Sequence, residues 1–284
     1  MPQKTRPSPA DDGLVTPEIG PWSELKHDLF QAYARVFATS MKNKWERVYV
    51  DLFAGSGRAS IRETSRIVLT SPFLAIELPD RFNQYVFCEK DPFQLNALRS
   101  RVSRDYPEVK VQFVEGDCNE HIHEILKTLP LHGKQRKVLT FCFADPWNLE
   151  NLKFSTIKLL SERFVDFLIL IPTWMDANRN VPHYLRPENK TMDNFVGSAE
   201  WRKAWQHAEA RGETFDRFLT TFYAEQMKQL GYLDHAAEET QLIRSDKKNL
   251  PLYRLAFFSR HPLGEQFWKE VKKHANPQTS LRFE

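Results

Sequence analysis

The sequence predicts an α/β fold: a doubly wound, mostly parallel sheet of seven strands, with an antiparallel C-terminal hairpin and a helical insertion ahead of it. Between about positions 47 and 171, apolar strand-like runs alternate with helical stretches of about ten residues, the pattern of successive βαβ units. Runs such as FVDFLILI (164–171) are apolar almost without interruption, which suits strands buried on both faces. The first strand leads directly into a glycine-bearing loop in VYVDLFAGSGRAS (Val48–Ser60). There Gly55 and Gly57 let the backbone turn sharply and come close to a ligand.

Taken in order, residues 1–20 hold four prolines and few apolar side chains. So little buried surface cannot offset the entropy of ordering, and a flexible lead-in is expected. Trp22, Leu25, Leu29, Phe30, Tyr33, Val36 and Phe37 recur at helical spacing, so an amphipathic helix precedes the first strand. Strands follow near 47–53, 85–89, 109–114, 137–144 and 164–171, separated by helices near 72–79, 91–104, 119–129 and 154–162. Ser71-Pro72 reads as an N-cap and first helical position. After Ile171 the alternation breaks: residues about 175–235 are aromatic and charged, with WRKAWQHAEA and FDRFLTTFYAEQMKQLGY helical in pattern. This stretch is an insertion beside the sheet. Strands near 238–244 and 252–259 flank the polar turn SDKKN, and a helix near 263–274 closes the chain. Residues 21–284 therefore read as one domain.

A length of 284 residues supports a core that needs no covalent staples. Cys88, Cys118 and Cys142 are scattered without metal-ligand spacing and read as small buried groups in a reduced cytosol. The opening MPQKTRPSPADDG lacks a signal-peptide pattern, and no apolar run of about 18 residues is long enough to span a membrane. A soluble, cytoplasmic protein is expected. The net charge of +3 neither argues for nucleic acid nor excludes it.

Three ligands compete for the glycine loop. A phosphate-binding P-loop requires Gly-Lys-Ser/Thr, whereas Arg58-Ala59-Ser60 follows Gly57. A dinucleotide fingerprint requires a third glycine, and position 60 is Ser. The remaining pattern sets Asp51 four residues before Gly55, an electrostatic fit for an adenosyl group on a cationic sulfonium with an amino-acid tail. Glu89 ends the next strand where an acid accepts hydrogen bonds from ribose hydroxyls. It lies 32 residues beyond Gly57 because the arm RASIRETSRIVLT intervenes. Asp117, after the third strand, is placed to reach an adenine amino group, and the fourth strand ends in Asp145-Pro146-Trp147, where the methyl group would point.

At these residues the sequence looks like a class I S-adenosylmethionine-dependent methyltransferase. More closely, it resembles the three-Cys-motif partner protein family, through KHDLFQAY, YVDLFAGSGR, TSPFLAIE, CEKDP, FADPWNL and LYRLAFFSRHPLGEQFW, blocks that span about residues 22–270. The family name refers to a cysteine motif in an associated protein, which the resemblance implies as a partner. It implies a methyltransferase-like fold, S-adenosylmethionine as cofactor, and cofactor contacts from Asp51, Phe53, Gly55, Gly57, Glu89, Asp117, Cys118 and Asp145. Nucleic acid amino-group methyltransferases usually carry Asp/Asn-Pro-Pro-aromatic, and here the second proline is missing. In that motif the carboxylate and a proline carbonyl accept hydrogen bonds from the target amine while the aromatic ring stacks on the base. Asp145, Pro146 and Trp147 are the corresponding catalytic candidates.

For Asp145 a second role stands open, that of a helix N-terminal cap. His121 and His123, two apart on a helix, face different sides and read as surface rather than metal ligands. Trp201 and Trp205, four apart, are expected to pack against the sheet. Arg58, Arg62, Arg66, Arg179 and Arg186 fall near the rim, where convergence would hold phosphates. Three functions remain in play: methyl transfer to a nucleic acid base, methyl transfer to a small molecule or protein, and non-catalytic binding to a three-Cys-motif protein.

Overall fold

The computed structural model describes residues 8–234, 237–245 and 248–275. The strands are β1 (Glu18–Ile19), β2 (Glu46–Asp51), β3 (Arg58–Ile61), β4 (Ile67–Leu69), β5 (Gln84–Glu89), β6 (Val111–Glu115), β7 (Val138–Ala144), β8 (Val165–Ile171), β9 (Gln241–Arg244) and β10 (Pro251–Phe258). The helices are α1 (Ser23–Met41), α2 (Ser71–Ile76), α3 (Pro92–Asp105), α4 (Ile122–Thr128), α5 (Phe154–Leu160), α6 (Val181–Tyr184), α7 (Thr191–Val196), α8 (Trp201–Ala210), α9 (Phe215–Gln229) and α10 (Pro262–Ala275).

Seven strands form the main sheet in the order β6-β5-β2-β7-β8-β10-β9. The first five are parallel, and β10 runs antiparallel to both β8 and β9. This is the doubly wound, mostly parallel α/β fold expected, with the hairpin where the pattern put it. The order reverses between β2 and β7, so a crevice opens beyond their carboxyl ends.

Side chains alternate across each strand, so the sheet separates two cores. Val48, Val50, Cys142, Phe167 and Ile169 face one core, shared with α4, α5 and the insertion. Tyr49, Phe141, Phe143 and Leu168 face the other, where α1 supplies Phe30, Tyr33 and Phe37. The ring of Phe30 lies 4.8 Å from that of Phe143, and Tyr33 lies 4.4 Å from Phe257. The stripe read as amphipathic is the face that clamps α1 to the sheet.

The arm after Gly57 is a hairpin, β3 antiparallel to β4, with β1 adding in parallel to make a separate three-stranded sheet. Its strands, of three or four residues, are too short for a visible period. Of the stretch expected as a flexible lead-in, residues 1–7 lie outside the described residues. Residues 8–20 lie against the domain. Asp12 pairs with Arg101, Arg104 and Arg58, and the fully buried Arg101 also donates to Leu14 O, Val15 O, Thr16 Oγ1 and Ser56 O.

Two expectations are corrected. Thr70, not Ser71, is the N-cap of α2, and the Ser71 hydroxyl turns inward to Asp51. Trp201 and Trp205 pack inside the insertion: Trp205 meets Phe215 at 4.9 Å and Phe218 at 5.3 Å, while the Trp201 indole N–H donates to Asp193. Among the described residues, no helix is long and apolar enough to cross a membrane.

Candidate active site

A cavity of about 390 Å³ occupies the crevice at the sheet's switch point. Its walls come from the β2 loop (Phe53, Gly55), the ends of β5 and β6 (Glu89, Asp117, Cys118), the end of β7 (Asp145, Pro146, Trp147), α1 (Lys26, His27) and the amino-terminal stretch (Pro17 to Gly20). Phe53, Gly55, Glu89, Asp117, Cys118, Asp145, Pro146 and Trp147, all expected from the sequence, therefore line one pocket.

Asp51 and Gly57 are not in the wall. Asp51 is fully buried behind it; its carboxylate accepts from the Tyr49 hydroxyl at 2.7 Å, the Phe53 N–H at 3.2 Å and the Ser71 hydroxyl. Burial pushes its pKa up to about 6 against those bonds. Asp51 thus shapes the loop and is not positioned as a direct contact to a sulfonium. Gly57, at φ +78°, is a packing glycine: a Cβ would stand 2.3 Å from Phe73 and 2.8 Å from Leu98. Gly55, at φ +60°, has open space instead, with only Gln94 at 3.5 Å.

Glu89 is held by backbone amides, accepting from Gly55 N–H on Oε2 and Asp91 N–H on Oε1, each at 2.8 Å. Each oxygen keeps a lone pair for hydroxyl donors. Asp117 accepts from the Asn119 amide at 2.9 Å and pairs with Lys90 at 3.2 Å. Burial works to raise its pKa, but these bonds outweigh it and hold the carboxyl below the usual range. Burial pushes the neighbouring Cys118 thiol up to about 12, leaving an inert apolar contact. Thr70 also lines the cavity, and its buried hydroxyl has no partner among the described residues.

Asp145 does not cap a helix. Asn148 fills that role, its side chain accepting from Asn151 N–H while Asn151 Oδ1 accepts from Asn148 N–H. Asp145 Oδ2 forms an ion pair with Lys26, whose ammonium lies 5.8 Å from the Tyr253 ring centre. Beside it, burial and the Lys26 charge hold His27 down to about 3, so the ring is neutral at pH 7. The turn after Trp147 is stapled twice: Leu149 N–H donates to Asp176 at 2.8 Å, and Asn119 Nδ2 donates to Asn151 O at 2.8 Å. Trp147 itself is 71% exposed at the rim.

The arginines do not converge as free cations. Arg58 pairs with Asp12, Arg62 with Glu18 and Arg66 with Glu24. Arg58 and Arg62 reach the pocket wall, whereas Arg66, Arg179 and Arg186 do not line it. His121 packs over Gly116, with Nδ1 3.3 Å from Asp117 O.

Lys26 and His27 are the functional candidates that the sequence reading passed over. A signal was there: Lys26 sits four residues from both Trp22 and Phe30, on the apolar stripe of an amphipathic helix.

No family model matches the chain, and neither does any curated protein. The three-Cys-motif resemblance thus rests on the sequence blocks alone. Among solved structures, protein LPL1258 from Legionella pneumophila str. Philadelphia 1 superposes with a TM-score of 0.50 at 12% identity, over 89% of this chain and 93% of that one. Trm1 from Pyrococcus horikoshii, solved with S-adenosyl-L-methionine, gives 0.47 at 10% identity, over 91% of this chain and 61% of that one. Magnesium protoporphyrin IX methyltransferase from Synechocystis PCC 6803, solved with bound SAH, gives 0.42 at 8% identity, over 83% and 84%. The likeness to LPL1258 is one of fold, and it extends through nearly the whole of both chains.

Proposed function

We propose that the protein is an S-adenosylmethionine-dependent methyltransferase acting on an amino group of a nucleic acid base. The observation that carries this reading is the meeting, in one cavity at the switch point, of Glu89, Asp117 and the Asp145-Pro146-Trp147 turn. The donor set fits the cofactor: Glu89 has lone pairs for ribose hydroxyls, Asp117 for an adenine amine, and Cys118 and Phe53 supply apolar contact. The unpartnered Thr70 hydroxyl in the same wall is a further group for a polar ligand.

When bound, S-adenosylmethionine supplies an electrophilic methyl group on a sulfonium. The chain's own part is positioning. Asp145 Oδ1, the oxygen that Lys26 leaves open, and the Pro146 carbonyl accept hydrogen bonds from the amine and aim its lone pair; Trp147 stacks on the ring. Neutral His27 adds no second positive charge beside Lys26.

Calorimetric titration of wild type and Glu89→Gln with S-adenosylmethionine tests the cofactor; transfer of labelled methyl to total RNA and DNA tests the substrate. Micromolar binding weakened about tenfold or more in the variant is expected, the scale of a hydrogen bond to a charged group. Absence of wild-type binding would overturn the reading. One observation favours a second one, a ligand-binding partner of a three-Cys-motif protein that transfers no methyl: Asp145 is already engaged by Lys26 where the second proline is missing. Binding without transfer to any substrate would select it.

A further inference from the structure

At the opposite end of the sheet, three rings stand together where β2, β7 and β8 begin. His132 lies 4.3 Å from Phe164 and 5.7 Å from Trp45, and Trp45 lies 6.4 Å from Phe164. Phe164 is 50% exposed, and Leu131, next to His132 in the chain, 65%, two of the few large apolar side chains left to solvent among the described residues. The group is fixed: Val138 N–H donates to His132 Nδ1 at 3.1 Å, and Thr140 N–H holds the Phe164 carbonyl at 2.8 Å.

The same edge is basic. The segment LHGKQRK (131–137) carries Lys134, Arg136 and Lys137 with no acid, and Lys42 and Lys44 precede Trp45, with Glu46 after it. Arg136 is paired with Glu46 and Lys42 with Asp80, but Lys44, Lys134 and Lys137 are exposed and form no ion pair among the described residues. Glu162 is an exposed acid beside Phe164. For a chain of net charge +3, this is a concentrated positive edge.

We propose that this amino-terminal edge of the sheet binds single-stranded nucleic acid, with Trp45, His132 and Phe164 stacking on bases and Lys44, Lys134 and Lys137 meeting phosphates. His132 and Phe164 are exposed and Trp45 is half-buried, and rings open to solvent among cations are the pairing that single strands use, since every base has a π-face and every linkage a charge. A protein partner fits less well, because lysine is depleted at protein–protein interfaces. The edge lies about 20 Å from the pocket along strands of six or seven residues. It is an anchoring surface, independent of the pocket and of the methyl-transfer reading.

The test is fluorescence anisotropy of the full chain with labelled single-stranded RNA and DNA 12-mers at 50 and 200 mM salt. Three phosphate contacts predict about 20-fold weaker binding at the higher salt. Phe164→Ala should weaken binding at least about fivefold. Lys134→Glu/Lys137→Glu, exposed substitutions with circular dichroism as folding control, should remove most of the salt dependence, and Glu89→Gln should bind like wild type. Binding unchanged in both edge variants, or lost only in Glu89→Gln, overturns the proposal. Displacement of the 12-mer by an equally charged polyglutamate peptide would assign the edge to acidic protein segments and overturn it too.

Discussion

Lys26 of α1 and Asp145 at the end of β7 form a partly buried ion pair across 119 residues of chain. The pair ties the helix that precedes the sheet to the turn that aims the methyl acceptor. Removing one partner strands the other charge in a cavity wall, which costs far more than the pair itself contributes. Lys26→Met is therefore expected to destabilise the protein by about 2–3 kcal/mol in urea unfolding and to abolish transfer. Lys26→Met/Asp145→Leu should regain most of the stability but none of the activity, a split that a double-mutant cycle reads directly.

The two loop glycines should respond differently. Gly57→Ala drives a Cβ to 2.3 Å from Phe73 at a left-handed backbone position, so a loss of about 3 kcal/mol or more is expected, together with the cofactor site. Gly55→Ala meets no atom within 3.4 Å and should cost only the left-handed penalty of about 1–2 kcal/mol. Thermal unfolding of both variants checks the order.

Asp166, on β8 beneath α1, is buried with the Tyr33 hydroxyl at 3.4 Å. Burial pushes its pKa up to about 7, against bonds from Ser259 and Tyr33. The folded chain thus keeps the proton where the unfolded chain has lost it. The stability so gained is complete below pH 4 and disappears as pH rises through 7. Asp166→Asn, neutral at every pH, should melt at least 2–4 °C above wild type at pH 8, with the gap closing near pH 4. A constant difference across that range would refute the assignment.

Asp12 behaves in the opposite sense. Hydrogen bonding from Arg101, outweighing burial, with further help from Arg104, holds its pKa far below the usual range. Its contribution is present above pH 4 and is lost as acid protonates it. Asp12→Asn should release residues 12–20 from Arg101, seen as faster amide exchange there at pH 7; the wild type should show the same release only in strong acid.

Most of the main sheet was legible because parallel strands buried on both faces leave uninterrupted apolar runs, as in Val165–Ile171. The pocket's loops were legible because their residues end those strands. What escaped depends on partners remote in sequence. Asp51 looks like a ligand contact until Tyr49 and Ser71 are seen to occupy it, and Gly57 like a ligand glycine until Phe73 fills the space. Residues 12–20 show neither a helical nor a strand period, yet the buried guanidinium of Arg101 gives them a fixed path. Lys26 was hidden by the stripe that contains it.

The cavity wall runs from Pro17 to Tyr253 and so draws on segments more than 230 residues apart. On a ribosome, the first wall residues emerge long before β10 exists to complete the enclosure. Removal of Pro17–Gly20 or of β10 takes residues out of that wall even where the central strands are spared. Occupancy of the cavity is accordingly a report on synthesis through β10, and a saturating ligand should stabilise a chain that holds every wall residue over one that lacks some, in proportion to the logarithm of its concentration.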